Sequence, residues 1–131
     1  DPIPSRGLGD VYKRQANVVY DPIGDNYSEP CIRATAWDGR YLVIGFAAGE
    51  IPKIPINLAL LKGMKIVGVF WGAWVGMHPD ENRNNFEELF KLHSEGKINP
   101  EVSDSFSLND GALAIAHLMD RKAKGKVIIK I

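Results

Sequence analysis

A single cysteine, Cys31, is all the thiol this 131-residue chain carries. No intramolecular disulfide can form from it, and no cysteine-based zinc cluster can be assembled. Net charge of one sign is equally missing, since 16 basic and 16 acidic residues cancel. No overall field draws in nucleic acid or anionic lipid, and the lysines and arginines are scattered along the chain. The longest apolar stretches, Tyr41 to Gly49 and Ile66 to Met77, fall short of the roughly 20 residues that a membrane span needs. No charged start followed by an apolar run and a cleavage site is visible. The expectation is therefore a cytoplasmic protein without a membrane or nucleic-acid partner. His78, His93 and His117 are too far apart in sequence to announce a metal site, and no Ser-His-Asp or Cys-His set stands out. The sequence thus assigns no metal ligand and no catalytic side chain.

What is present is the composition of one globular domain, 45% hydrophobic and 24% charged. Residues 1–15 stand apart. They hold two prolines and two glycines without any sustained period. They also resemble the translated read-through of a sequencing adapter, and they are set aside as a non-native or disordered tail.

From Ala16 onward the pattern is regular. Asn17 to Tyr20 is predicted as a strand ending in the turn Asp21-Pro22-Ile23-Gly24. Ser28 is placed as the cap of a helix with Pro30 in its first turn, carrying Ile32, Ala34 and Ala36 up to a stop at Asp38-Gly39. Arg40 to Gly45 reads as a strand with almost no polar alternation, which suits a strand covered on both faces of a parallel sheet. A proline-spaced loop from Ala47 to Pro55 leads to a short helix, Asn57 to Lys62, closed by Gly63. Met64 to Phe70 is the third apolar strand. Strand, helix, strand, helix, strand at this spacing is the mark of an α/β unit with a parallel sheet. Further on, a helix runs from Asp80 to Glu95 with Phe86, Leu89, Phe90 and His93 on one face and Gly96 as its stop. That places His93 in a core or an interface. Ser107-Leu108-Asn109-Asp110 resembles a capping box ahead of a helix bearing Ala112, Ile115, Ala116 and Met119. Gly125 to Ile131 closes the chain as a strand.

Four segments from Ala16 onward carry a family resemblance: Ala-Asn-Val-Val-Tyr-Asp-Pro-Ile-Gly from Ala16, Gly-Arg-Tyr-Leu-Val-Ile-Gly-Phe-Ala-Ala-Gly from Gly39, Asn-Leu-Ala-Leu-Leu-Lys-Gly from Asn57 running into Val69-Phe70-Trp71-Gly72, and Arg-Lys-Ala-Lys-Gly-Lys-Val from Arg121. In this order they resemble the carboxy-terminal part of the zinc-independent, quinone oxidoreductase-like branch of the medium-chain dehydrogenase/reductase superfamily. One departure is that Gly24 is followed by Asp25, where the family commonly has a second glycine. The resemblance implies a Rossmann-type parallel sheet inserted into a GroES-like catalytic domain. Residues 16–97 would be the carboxy-terminal half of the NAD(P)-binding domain, and 98–131 the segment returning to the catalytic domain. It implies NADPH, or alternatively NADH, as cofactor, and hydride transfer to a small quinone or activated enone. The alternatives are an enoyl-thioester reductase of the same superfamily, or a non-catalytic, crystallin-like nucleotide-binding protein. The Gly-rich phosphate loop would lie upstream, and Gly7-Leu8-Gly9 does not open the helix that such a fingerprint needs.

In open parallel sheets ligands sit beyond the carboxyl ends of the strands. Two turns fall there, Asp21 to Gly24 and Gly45-Phe46-Ala47, where small residues admit a close approach to the nicotinamide and its ribose. Asp21 reads equally as a plain turn aspartate. Phe70 and Trp71, with Trp74, supply flat rings to wall a pocket or to pack at an interface. By resemblance Lys126 lies in the closing segment beside the cofactor, and an exposed strand lysine is an equal account of it. The candidate cofactor-binding residues are accordingly Asp21, Gly24, Gly45, Phe46, Ala47, Phe70, Trp71 and Lys126. Met64 to Phe70 is also the last strand of the α/β run and has only Lys65 to blunt its edge. Pairing of this edge with its copy across a two-fold axis, as the resemblance also implies, predicts a homodimer. A proline at Val67 is the natural probe of that pairing.

Overall fold

In the computed structural model, which describes residues 15–131, the apolar run after Gln15 becomes the first strand of a parallel sheet. Strand β1 (Ala16–Asp21) pairs with β2 (Thr35–Val43), and β2 pairs with β3 (Lys65–Gly68), both parallel, in the order β1-β2-β3. The crossover from β1 to β2 holds a single 3-10 turn (Asp25–Tyr27) and helix α1 (Ser28–Ala34). The crossover from β2 to β3 holds α2 (Asn57–Lys62), which ends at Gly63 in the left-handed conformation as the sequence predicts. Helix α3 (Trp71–Met77) follows β3 directly.

Alternation along the strands decides what is covered. Val19 and Asp21 of β1, with Tyr41 and Val43 of β2, point to the side of α1 and α2. Ile32, Tyr41, Leu58 and Met64 form the buried cluster there, with Val19, Cys31, Val43, Ile54 and Ala59 packed against it. Cys31 is thus a packing thiol on the core side of α1. On the opposite side Val18 and Tyr20 are exposed.

α1 ends four residues earlier than predicted, because Thr35 already pairs with Ala16 and its hydroxyl donates to the Cys31 carbonyl. The register then jumps, so that Val18 faces Arg40, and Trp37 to Gly39 form an excursion in β2. Asp38 sits there at φ 59, its amide donates to the Gly63 carbonyl at 2.8 Å, and Lys65 reaches its carboxylate at 2.5 Å. Asp38's pKa is lowered by this lysine. The pair is solvent-exposed and adds little stability. Trp37 lies over Gly63, where a Cβ would come within 2.6 Å of its ring.

A second compact unit begins at Met77. It comprises α4 (Pro79–Ser94), β4 (Val102–Ser107), a 3-10 turn (Leu108–Asp110), α5 (Gly111–Met119) and β5 (Lys126–Lys130). β4 and β5 pair in parallel, and the backbone of Gly125 comes so close to Glu101 that a Cβ would lie 2.5 Å from its carbonyl oxygen. β4 escaped the sequence reading because Val-Ser-Asp-Ser-Phe-Ser is half small polar residues. Ser107 does not cap the backbone as a capping box would. Its hydroxyl donates to Asp110 at 2.7 Å, and the α-helix starts one residue later. His93 is exposed rather than in a core, with Nδ1 3.0 Å from the Ile98 carbonyl. His117 lies 3.1 Å from Asp104, beside the Phe106 ring.

Candidate functional site

Parallel strands deliver their carboxyl ends to one edge of the sheet, and here those ends carry the two turns singled out in the sequence. The turns are stitched together by main-chain bonds. Ile44 N donates to Asp21 O at 3.0 Å, Ala47 N to Pro22 O at 3.0 Å, and Ala48 N to Ile23 O at 3.0 Å. Asp25 N donates to Glu50 O at 3.1 Å beyond them. Asp21, Gly24, Gly45, Phe46 and Ala47 therefore belong to one constellation. Gly24 is buried at φ 72, ψ −146, a conformation open essentially to glycine alone, and a Cβ there would lie 2.8 Å from Phe46 Cδ1. Gly45 is less constrained, with a Cβ position 3.4 Å from the Pro22 carbonyl.

Asp21 is 5% exposed, and its carboxylate is filled by its own chain. Oδ1 accepts the amides of Ile23 at 2.8 Å and Gly24 at 2.9 Å. Oδ2 accepts the Ser28 hydroxyl at 3.0 Å and the Tyr41 hydroxyl. Burial by itself raises the pKa of this carboxyl, but the bonds from Tyr41, Gly24, Ile23 and Ser28 outweigh it and hold it below the ordinary value. Burial, then the bond to Asp21, pushes Tyr41 up to about 12. Ser28 is accordingly not the helix cap predicted for it. Tyr27 occupies the cap position without a side-chain bond, and the Ser28 hydroxyl turns inward to Asp21. Neither Ser28 nor Tyr41 was visible as a partner in the sequence. The available signal was Tyr41 in an otherwise aliphatic run, a phenol needing an acceptor once buried.

Beside the turns a cleft of 490 Å³ is lined by Tyr20, Ile44, Val69, Phe70, Trp71 and Gly72. Phe70 is 80% exposed and Trp71 57%. Sequence reasoning found these two rings but missed Tyr20, which projects from the β1 face opposite Asp21 into the same cleft. Trp74 is half-buried on the next turn of α3. Lys126 belongs to the second unit, exposed at the start of β5 and paired with Val102.

A three-stranded parallel α/β unit, with glycine turns and an apolar aromatic cleft at the strands' carboxyl ends, defines a class: half of the parallel sheet of a doubly wound domain. The chain matches the zinc-binding dehydrogenase family over residues 5–129 and belongs to it, as a carboxy-terminal portion of the quinone oxidoreductase-like branch. It is 36% identical over 115 residues to the quinone oxidoreductase-like protein 2 homolog of Nematostella vectensis, covering 87% of this chain and 32% of that one. Acryloyl-coenzyme A reductase of Sulfurisphaera tokodaii is 26% identical over 127 residues, 96% of this chain and 34% of the relative. A mycobacterial protein solved in complex with NADPH superposes with a TM-score of 0.78 at 20% identity, over 95% of this chain and 38% of that one. This likeness shows the shared fold. The chain thus spans about a third of the length of the curated relatives it matches.

The family's description implies zinc, which takes three or four nitrogen, sulfur or oxygen ligands in one place. The described residues do not fit it. No group of three or more histidine, cysteine or acidic side chains converges among them, Cys31 packs on the core, and His93 and His117 are engaged by Ile98 and Asp104. No helix among the described residues is long and apolar enough to cross a membrane.

Proposed function

We propose that this chain forms the nicotinamide end of the cofactor crevice in an NAD(P)H-dependent oxidoreductase that passes hydride to a quinone or activated enone. The aromatic cleft at the ends of three parallel strands, beside two glycine turns, carries this reading. The dihydronicotinamide would supply the hydride, across about 3–3.5 Å to its acceptor. Gly24, Gly45, Phe46 and Ala47 offer backbone groups at the crevice, and Asp21 acts by holding the first turn. Phe70 and Trp71 wall the cleft with Tyr20 and offer flat apolar faces to a planar ring. NADPH is the proposed cofactor over NADH, in keeping with the NADPH-bound mycobacterial neighbour, and Lys126 is proposed as a further contact from the returning segment, residues 98–131. An enoyl-thioester acceptor is the second reading, supported by the acryloyl-coenzyme A reductase relative. The protein is proposed to work in the cytoplasm, and residues 1–15, of which 1–14 lie outside the described residues, to take no part in cofactor binding.

The sequence holds no Gly-x-Gly-x-x-Gly fingerprint, so the pyrophosphate anchor at a helix amino terminus is not supplied here. Calorimetric titration of the chain with NADPH should show no micromolar binding; a dissociation constant in that range would mean that the cofactor is held elsewhere than proposed. Joining the chain to the upstream two thirds of a quinone oxidoreductase-like relative should restore NADPH oxidation with a quinone acceptor. Gly45→Ala should then impair turnover while leaving stability nearly unchanged, because its Cβ meets only the Pro22 backbone, no nearer than 3.4 Å.

Assembly through β3 belongs to the same proposal. β3 has one partner among the described strands, and Lys65, Ile66 and Gly68 are exposed. Val69 N donates to Val43 O, so by alternation Lys65 and Val67 also direct their amides to β2, while Ile66 and Gly68 turn theirs outward. Proline at Val67 would therefore break the internal pairing, and Ile66→Pro is the proper probe of the free edge. Light scattering should find a dimer that Ile66→Pro converts to monomer. A monomeric parent at micromolar concentration removes the edge-pairing idea.

A further inference from the structure

The crevice turns depend on two hydroxyls that no motif announces. A carboxylate has about four lone-pair sites, and Asp21 uses them in two sets. Oδ1 takes the two amides of its own turn, and Oδ2 takes Ser28 from α1 and Tyr41 from β2. β2 is the strand that delivers the second turn, and Ile44, the residue that follows it, also reaches Asp21 through the main chain, from Ile44 N to Asp21 O. Asp21 is thus bound through its side chain to Tyr41 of β2 and through its carbonyl to Ile44 at the start of the second turn. The carbonyls of the next two residues, Pro22 and Ile23, receive Ala47 and Ala48 of the second turn. The carboxylate is thus joined to the amides of Ile23 and Gly24, and the first turn to Ala47 and Ala48 through the Pro22 and Ile23 carbonyls.

We propose that Tyr41 and Ser28, acting through the Asp21 carboxylate, are positioning residues that hold the two crevice turns in one fixed arrangement for a nicotinamide ring. The inference rests on the reading of this crevice as a cofactor site. Tyr41 suits the task because it is buried in β2 and its hydroxyl donates to the Asp21 carboxylate. Ser28 suits it because it is fully buried, with Asp21 as the acceptor of its hydroxyl. Replacing either leaves the charged acceptor one donor short without touching the outer wall of the cleft.

The test uses the whole chain, labelled with nitrogen-15, as parent, Tyr41→Phe, Ser28→Ala, and Ile32→Val as a core destabiliser outside the Asp21 network. Two quantities are read: amide hydrogen exchange residue by residue, and binding of reduced nicotinamide mononucleotide at millimolar concentration from amide shifts. Tyr41→Phe should speed exchange at Ile23, Gly24, Ala47 and Ala48 by about tenfold and weaken mononucleotide binding by a similar factor, the effect of one hydrogen bond to a charged group. Ser28→Ala should act on the same amides, and it carries the test if Tyr41→Phe does not fold. Ile32→Val should show neither effect. Exchange rising evenly across β1, β2 and β3 in the hydroxyl variants would overturn the proposal, as would unchanged mononucleotide affinity in Tyr41→Phe. If the parent itself does not bind the mononucleotide while the local exchange effect appears, the turns are held as argued and the cofactor reading is what fails.

Discussion

Asp21→Ala is expected to lower the stability of the first unit by about 3 kcal/mol or more, because it strips the acceptor from four donors at once. Two of those donors are amides in a fixed turn, and the two hydroxyls come from side chains that are themselves buried. Urea unfolding followed by circular dichroism measures the loss. Asp21→Asn should do less harm, since its oxygen still accepts both amides and the hydroxyls can turn to accept from its amide group. The two variants separate shape from charge. The parent's carboxyl is held below its ordinary value of 3.8, so its contribution is complete above that pH and is lost as pH falls through the lower folded value. The Asp21→Asn variant, with no carboxyl to titrate, should lack this acid-side loss. Tyr41 gives the opposite sign at the other end of the scale: with a folded pKa of about 12 against 10.0 unperturbed, its contribution is complete below pH 10 and disappears as pH rises towards 12. A parent whose midpoint stays level from pH 10 to 12, or a Tyr41→Phe variant that still shows the decline, would contradict this assignment.

The second large effect is expected at Gly24. Alanine there meets two penalties, a backbone at φ 72, ψ −146 and a Cβ 2.8 Å from the Phe46 ring and 3.3 Å from its Cα. The backbone strain alone is of order 1–3 kcal/mol, and the contact with Phe46 Cα cannot be relieved by rotating a side chain. Gly49→Ala is the matched comparison, with φ 116 and nothing within 4 Å of the added carbon. Its cost should be strain alone, and the difference between the two midpoints measures the clash. If Gly24→Ala is no worse than Gly49→Ala, Phe46 is free to move away and the turn is softer than its bonding indicates.

The sheet was legible because its strands are short apolar runs punctuated by Asp-Pro, Gly and Pro, and because α2 ends on a glycine that can only be a helix stop. The crevice turns were legible for the same reason, since their position follows from strand direction alone. What the sequence hid were contacts set by three-dimensional closure. Thr35 looks like the middle of a helix until Ala16 is placed beside it, and Ser28 looks like a cap until Asp21 is found behind it. Tyr20 and Asp21 are neighbours in sequence but point to opposite faces, one into the cleft and one into the core side. α3 was missed because Trp-Gly-Ala-Trp-Val-Gly-Met has two glycines and no polar face to give it a helical period. The cleft was therefore half read, through Phe70 and Trp71, and completed only by the strand pleat.

Parallel pairing also governs how quickly such a sheet can assemble. Val19 meets Tyr41, and Tyr41 meets Ile66, so each rung of the ladder joins residues separated by an entire crossover. No hairpin zips this sheet from a local turn. The loop entropy of both crossovers is lost before the first inter-strand bonds repay it, which slows assembly relative to a sheet built from local hairpins. The Tyr41–Asp21 bond spans 20 positions and cannot precede that closure. Its formation should mark the late side of the folding barrier, so that Tyr41→Phe accelerates unfolding while leaving the refolding rate nearly unchanged.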